Sequence, residues 1–169
     1  MTFAVRRIHA DDGPLLRSMR LAALADAPGD AVTTLARAEA HGDDHWSESA
    51  AANSSGGLQA TFFAEPRRHD DDIPAIGMIG AYANRDGTVN LVGLWSAPGF
   101  RDIGVAPALI AAVADWSRAN GAKQLRLWVV ERNEFTRRFY EGEGFESTGA
   151  TMPYEPDPRI NSREMTLQL

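Results

Sequence analysis

The chain has 169 residues, of which 44% are hydrophobic and 24% charged, and its formal net charge at pH 7 is −6. This composition supports one packed core and excludes wholesale disorder, and the negative charge disfavours nonspecific attraction to nucleic acid or anionic membranes. The sequence contains no cysteine, which excludes disulfides, a thiolate nucleophile and a cysteine-based metal site. We expect a single domain over residues 1–169.

The first residues lack the apolar core of a signal peptide, and no run reaches the roughly 20 apolar positions of a membrane helix. Even the apolar part of residues 103–116 is too short and ends in a polar segment. The expectation is therefore a cytoplasmic protein that binds neither membrane nor nucleic acid.

The amino-terminal half predicts a strand, two helical regions and a pair of strands. Asp12 and Pro14 are typical of a helix start, and apolar residues recur behind them at helical spacing. Residues 33–51 are rich in Ala and Glu, with Trp46 as their large anchor, and predict a second helical region. The predicted elements are a strand at 3–8, a helix ended by residues 27–30, a helical region at 33–51, a turn at 53–57, and strands at 59–65 and 75–83 joined by a polar loop at 66–72.

In the carboxy-terminal half the apolar period changes from two to about 3.6 after Phe100. Val105, Leu109 and Val113 share one face of the helix that this period predicts, and Asn120 and Gly121 end it. The predicted elements are a strand at 88–96, this helix, a strand at 124–130, a short helix at 134–141, and strands at about 145–152 and 164–169.

Residues 101–106 (RDIGVA) lie between a predicted strand and a predicted helix. Backbone N–H groups at a helix start lack helical partners and lie at the positive end of the helix dipole, which suits a phosphate or pyrophosphate. Gly104 and Ala106 are small enough for a close approach. On these residues alone, an ordinary strand-to-helix turn with an exposed Arg101 explains the pattern equally well.

Two segments carry a more specific resemblance. Residues 100–106 (FRDIGVA) resemble the signature Gln/Arg-x-x-Gly-x-Gly/Ala of the GNAT superfamily of acyltransferases. Residues 133–145 (NEFTRRFYEGEGF) resemble its Asn…Tyr…Gly-Phe segment, at the usual distance and after the usual strand. The resemblance implies an α+β fold with a mixed, mostly antiparallel sheet of six or seven strands and about four flanking helices, splayed between the strands that end at Ser96 and Val130.

The resemblance also implies an activity, which is direct transfer of an acetyl group from acetyl-coenzyme A to an amine in a ternary complex, with no metal. Tyr140 matches the usual general acid, which assists departure of the thiolate. The residues implied to line the pantetheine arm or polarise the thioester are Leu94, Trp95, Ser96 and Asn133. The residues implied to hold the pyrophosphate, mainly through backbone N–H groups, are Arg101, Asp102, Ile103, Gly104, Val105 and Ala106.

Several residues leave alternatives open. Asp102 stands where glycine or a basic residue is common, and its carboxylate would weaken coenzyme binding or point to solvent. Pro107 removes a helix N–H near the site, which is tolerable in a first turn. Asn133 could cap the following helix as well as contact the cofactor. Without the motif, Tyr140 would be read as a core tyrosine, and the chain as a whole could be a noncatalytic acyl-coenzyme A binding module.

The general base and the acceptor are not assigned by the sequence. Glu65, Glu131 and His45 are candidate bases, each also explained as a surface group. His41 and His45 have the spacing of a helical metal pair but no evident third ligand, so no metal site is predicted. The resemblance implies a small-molecule or peptide amine as acceptor, recognised by the amino-terminal helices and variable loops at about residues 11–57 and 150–163. The net negative charge hints at a cationic acceptor, although solubility explains that charge equally well. The resemblance leaves a homodimer open.

Overall fold

The computed structural model describes residues 2–27, 33–67 and 73–169, which form one sheet and five α-helices. The strands are β1 (Phe3–Arg7), β2 (Gln59–Pro66), β3 (Gly77–Ala83), β4 (Thr88–Ser96), β5 (Gln124–Val130), β6 (Glu146–Tyr154) and β7 (Asp157–Gln168). The helices are α1 (Gly13–Asp26), α2 (Leu35–Glu39), α3 (Asp43–Asn53), α4 (Val105–Ala119) and α5 (Glu134–Gly142), and a 3-10 turn at Arg101–Ile103 precedes α4.

The sheet has the strand order β1-β2-β3-β4-β5-β7-β6. Its neighbouring strands are antiparallel except β4 and β5, which run parallel. A parallel pair needs a crossover connection, and α4 provides it. The prediction of an α+β fold with a mixed, mostly antiparallel sheet of six or seven strands is confirmed. The sheet has seven strands, and the described residues form five α-helices where about four were expected.

The two faces of the sheet pack against different helices. Phe62 and Ile79 belong to the apolar cluster that contains Leu109 of α4. Their strand neighbours Phe63 and Met78 belong to the cluster formed with α1 and α3. Because successive side chains of a strand point to opposite faces, α4 covers one face of the sheet while α1 and α3 cover the other.

The additional helix arises because residues 33–51 form two helices rather than one continuous region. Gly42 interrupts them, with extended backbone angles of φ −76° and ψ 172° at the start of α3. Asp43 and Asp44 follow in the first turn of α3, where negative charge favours a helix. Thr34 caps α2, since its hydroxyl accepts a hydrogen bond from the Arg37 backbone N–H at 3.2 Å.

The last strand begins at Asp157, seven residues before the predicted start at 164, so that prediction was wrong. The register between β5 and β7 ends at Val130–Ser162, and the residues of β7 before it extend along β6, the edge strand. Pro153 and Pro158 lie in this part of the β6–β7 ribbon, at the edge of the sheet. Proline is tolerated there because edge strands do not need every N–H for the ladder.

Two predicted features fall partly outside the described residues, namely the helix stop at 27–30 and the polar loop at 66–72. The longest described helix, α4, has 15 residues. None of the helices in the described ranges combines the length and apolar character needed to cross a bilayer.

Candidate functional site

The parallel strands β4 and β5 separate soon after they begin. Their register consists of three residue pairs, the last of which joins Asn90 to Arg126. Beyond that pair lies a cavity of about 610 Å³, lined by residues of both strands. Backbone N–H and C=O groups of β4 that point toward this gap are not paired with β5, so a bound chain can take the place of a strand there.

Buried Asn90 fixes the point of separation. Its side-chain oxygen accepts hydrogen bonds from Arg126 Nε at 2.8 Å and from Asn84 Nδ2 at 3.1 Å. Its amide nitrogen donates to the Tyr82 hydroxyl. A buried polar group is costly unless it is bonded. The bond to Arg126 joins β4 to β5 at the base of the cavity, while those to Tyr82 and Asn84 join β4 to β3 and to the turn after it.

A β-bulge interrupts β4 beside the cavity. Between the pairs Met78–Trp95 and Gly80–Val92, strand β4 has one residue more than β3. Gly93 lies in this extra segment with φ +62°, in the left-handed region that favours glycine. The bulge turns local backbone groups out of the regular ladder.

The predicted pyrophosphate turn has the expected local structure. Gly104 has φ +86° and leads from the 3-10 turn into α4, where the Ala108 N–H donates a helical hydrogen bond to the Gly104 C=O at 3.2 Å. Asp102, Ile103 and Gly104 are exposed, and open space surrounds a Cβ built at Gly104. Val105 is fully buried, so only its backbone can reach a ligand. The turn lies outside the set of residues that line the cavity.

Asp26, at the end of α1, ties this turn to β4. Its carboxylate accepts a hydrogen bond from Trp95 Nε1 at 2.9 Å and forms an ion pair with Arg101. Arg101 Nε also donates to the Ser96 backbone carbonyl at 3.2 Å. Asp26 was not among the predicted site residues, because no local motif relates a carboxylate in α1 to a turn 75 residues later.

Tyr140 is buried and lines the cavity opposite β4. Its ring makes edge contacts with Phe139 and Phe145, at centroid distances of 5.2 and 5.5 Å. Burial raises the pKa of the Tyr140 phenol above its usual value, so the hydroxyl keeps its proton at neutral pH. Tyr140 therefore belongs to the apolar core and also lines the cavity.

Asn133 caps α5, the helix that carries Tyr140. Its side-chain oxygen accepts a hydrogen bond from the Thr136 backbone N–H at 3.1 Å. The same residue lines the cavity, together with Thr136 and Tyr140. The Asn133 side chain thus provides a hydrogen-bond acceptor for a free N–H group in the first turn of α5, and it also borders the cavity.

Residues 30–145 match the profile of the Acetyltransferase (GNAT) family. The chain belongs to this family. Three curated relatives, uncharacterised N-acetyltransferases from Mycobacterium tuberculosis and Mycobacterium bovis, are 34% identical to it over 108 residues. The match covers 58% of this chain, and the chain spans 65% of the length of these relatives.

Solved GNAT structures share the whole fold. A GNAT-family protein from Desulfovibrio desulfuricans is 22% identical, with a TM-score of 0.70 and 99% of each chain covered. An N-acetyltransferase from Thermoplasma acidophilum, solved in complex with coenzyme A, is 16% identical, with a TM-score of 0.75 and 100% of each chain covered. At these identities the likeness concerns the fold.

A second cavity of about 330 Å³ lies on the face of the sheet covered by α1 and α3. It meets the larger cavity at β4, because Arg20, Val92 and Gly93 border both. The bulge of the GNAT sheet therefore stands between two spaces, one along β5 and one under the amino-terminal helices.

The three candidate bases lie in different surroundings. His45 borders the smaller cavity. Glu65 is paired with Arg6 at 2.6 Å and Glu131 with Arg163 at 2.9 Å, and neither glutamate is among the residues lining the two cavities.

The rings of His41 and His45 stack at a centroid distance of 3.7 Å. Within the described ranges, the group of three potential metal ligands is His9, Asp11 and Asp12, and it does not include these two histidines. Asp12 already accepts a hydrogen bond from Arg6 at 2.6 Å.

The structure brings Leu94, Trp95, Asn133 and Tyr140 to one cavity. Ser96 is buried below it, and its hydroxyl has no hydrogen-bond partner among the described residues. Further residues reach the cavity from α1 and from the β6–β7 hairpin, within the ranges 11–57 and 150–163 that the resemblance assigned to the acceptor, but no local pattern singled them out because long-range packing brings them there. These residues are Arg20, Ala23, Leu24, Ala27, Met152, Pro153, Tyr154, Glu155 and Ser162.

Proposed function

We propose that the protein transfers the acetyl group of acetyl-coenzyme A to the primary amine of a small molecule or peptide, by direct attack in a ternary complex. One observation carries this proposal: the bulge at Gly93 and the buried phenol of Tyr140 border the same cavity between the separated strands. Membership of the GNAT family supports it, as does the fold shared with the T. acidophilum N-acetyltransferase solved with coenzyme A.

The pantetheine arm would lie along the free edge of β4. Its amide groups can bond to backbone groups of Leu94, Trp95 and Ser96, in the manner of an added strand. Backbone N–H groups turned outward near the bulge would polarise the thioester carbonyl and stabilise the oxyanion that forms on attack. Asn133 would border the arm from the α5 side.

The pyrophosphate would bind at the start of α4. Backbone N–H groups of residues 103–106 lie at the positive end of this helix, and Gly104 leaves the approach open. Arg101 would have to exchange its ion pair with Asp26 for the phosphate or share it between the two. Asp102 is exposed and has room to point its carboxylate toward solvent.

The transfer step forms one bond and breaks one. The neutral amine attacks the thioester carbonyl, a C–N bond forms, and the C–S bond breaks with its electron pair leaving on sulfur. Tyr140 donates its proton to that sulfur and regains one from solvent, while the amine loses a proton to a base or water. No protein nucleophile is needed, which agrees with a chain that lacks cysteine.

We further propose that residues 1–169 act as one catalytic domain in the cytoplasm. The single sheet, covered on its two faces by helices from both halves of the chain, supports one folding unit.

The test is calorimetric titration with acetyl-coenzyme A of the parent protein and of Gly104→Glu. The added carboxylate lies where the phosphates would bind, so charge repulsion should weaken binding by about tenfold or more. Gly121→Glu is the matched control, since Gly121 lies just beyond the other end of α4, also has positive φ (+79°) and also has open space around it.

Saturable binding by the parent and by Gly121→Glu, with loss in Gly104→Glu, supports the cofactor site. Release of coenzyme A thiol in the presence of amines then separates an enzyme from a binding module, which would bind the cofactor and release none. If folded parent protein does not bind acetyl-coenzyme A, the proposed function is wrong.

A further inference from the structure

Arg20 of α1 lies where the two cavities meet. Its side chain borders both of them, and its Nη1 atom would lie 3.2 Å from a Cβ built at Gly93. The guanidinium therefore lies against the bulge of β4. In the proposed ternary complex, this is the place where the thioester carbonyl meets the acceptor.

No carboxylate in the described parts of the chain neutralises Arg20. Burial lowers the pKa of its guanidinium, and no hydrogen bond or charge from a described residue acts in the opposite direction. By contrast, Arg6 is paired with Asp12 and Glu65. A cation that is partly removed from water gains from a counterion, so the site favours a ligand that brings one.

Among the residues that the structure describes, none of those lining the smaller cavity is acidic. Its polar members are Arg20, Thr33, His41, His45, Ser49, Asn53, Gln59, Thr61 and Tyr82. Its apolar members include Leu16, Trp46, Met78 and Val92. The described wall offers no carboxylate to balance a second positive charge, and it offers donors and apolar surface to a small molecule that carries a negative group.

We infer that the acetyl acceptor is an amine with a carboxylate only a few bonds away, as in a free amino acid, and that Arg20 binds this carboxylate. The inference rests on the proposed function and names the substrate class of the same site. The guanidinium lies against Gly93, close to the proposed position of the thioester. A carboxylate bound by Arg20 therefore keeps the amine of the same molecule near the thioester only if the carboxylate and the amine are separated by a few bonds. A cavity of about 330 Å³ suits a molecule of that size.

The charge of the residues around the cavity is a better guide to the charge of the acceptor than the net charge of the chain. The net charge of −6 hints at a cationic acceptor, whereas the described wall of the smaller cavity contains Arg20 and no acidic residue. An acceptor that lacks the carboxylate would leave the partly buried Arg20 without a counterion from the ligand. A site with such an unpaired group binds the analogue much more weakly than the amino acid.

The test uses matched sets of amino acids with aliphatic, aromatic and hydroxyl side chains, each beside its amide and its decarboxylated amine. Their binding to the coenzyme A-loaded protein is measured by calorimetry, which does not depend on turnover. A charge-assisted pair should make at least one amino acid bind about tenfold or more tightly than its amide and its amine. Arg20→Met should abolish that preference, and Arg20→Lys should retain part of it.

Arg17→Met is the matched control, because Arg17 lies on the same helix and is exposed. This variant should keep the preference for the carboxylate and bind coenzyme A as the parent does, because Arg17 lines neither cavity. Equal binding of amide and amino acid, survival of the preference in Arg20→Met, or failure of every carboxylate probe to bind to the coenzyme A-loaded protein would each overturn the inference. Failure to bind coenzyme A would instead reject the proposed function.

Discussion

At the scale of single residues, a substitution at Tyr140 can distinguish a catalytic role of its phenol from a role in packing. Tyr140→Phe keeps the ring contacts with Phe139 and Phe145 and removes the proton donor. We expect kcat for acetyl transfer to fall by about 100-fold or more, because general acids contribute that much, while affinity for acetyl-coenzyme A changes little. Thiol-release kinetics and calorimetry measure the two quantities. An unchanged kcat, or a parallel loss of binding and stability, would mean that Tyr140 is only a core residue.

At the scale of elements, Asn133 can be tested as a cap and as a cofactor contact. Asn133→Ala removes the bond to the Thr136 N–H and should lower the free energy of unfolding by about 1 kcal/mol. Asn133→Ser restores a capping oxygen but not the amide, so it should recover stability while remaining weaker than the parent in binding acetyl-coenzyme A. Thermal unfolding and calorimetry give both values. If Asn133→Ser binds the cofactor as tightly as the parent, Asn133 acts as a cap alone.

The elements also show what could be predicted from sequence. Strands β4 and β5 were placed at their observed bounds, because their apolar patterns and flanking turns are local signals. The division of residues 33–51 was missed, although Gly42 marks it. Residues 157–163 of β7 were not predicted as strand, and Ile160 is their single large apolar residue, so they show no alternating apolar pattern. Asp26, Arg20 and the bulge at Gly93 depend on contacts between distant segments or on strand register. No local pattern carries that information.

At the scale of the whole molecule, a sheet covered on both faces should unfold as one unit. Ile8 and Ile79 are buried in the clusters on opposite faces, and neither lines a cavity. Ile8→Val and Ile79→Val each remove one methylene group and should cost about 0.5–1.5 kcal/mol. Because the strands are shared by both clusters, either change should lower the same single thermal transition by a few degrees. Two separate transitions, each lowered by only one of the variants, would divide the chain into independent units and contradict the proposal of one domain.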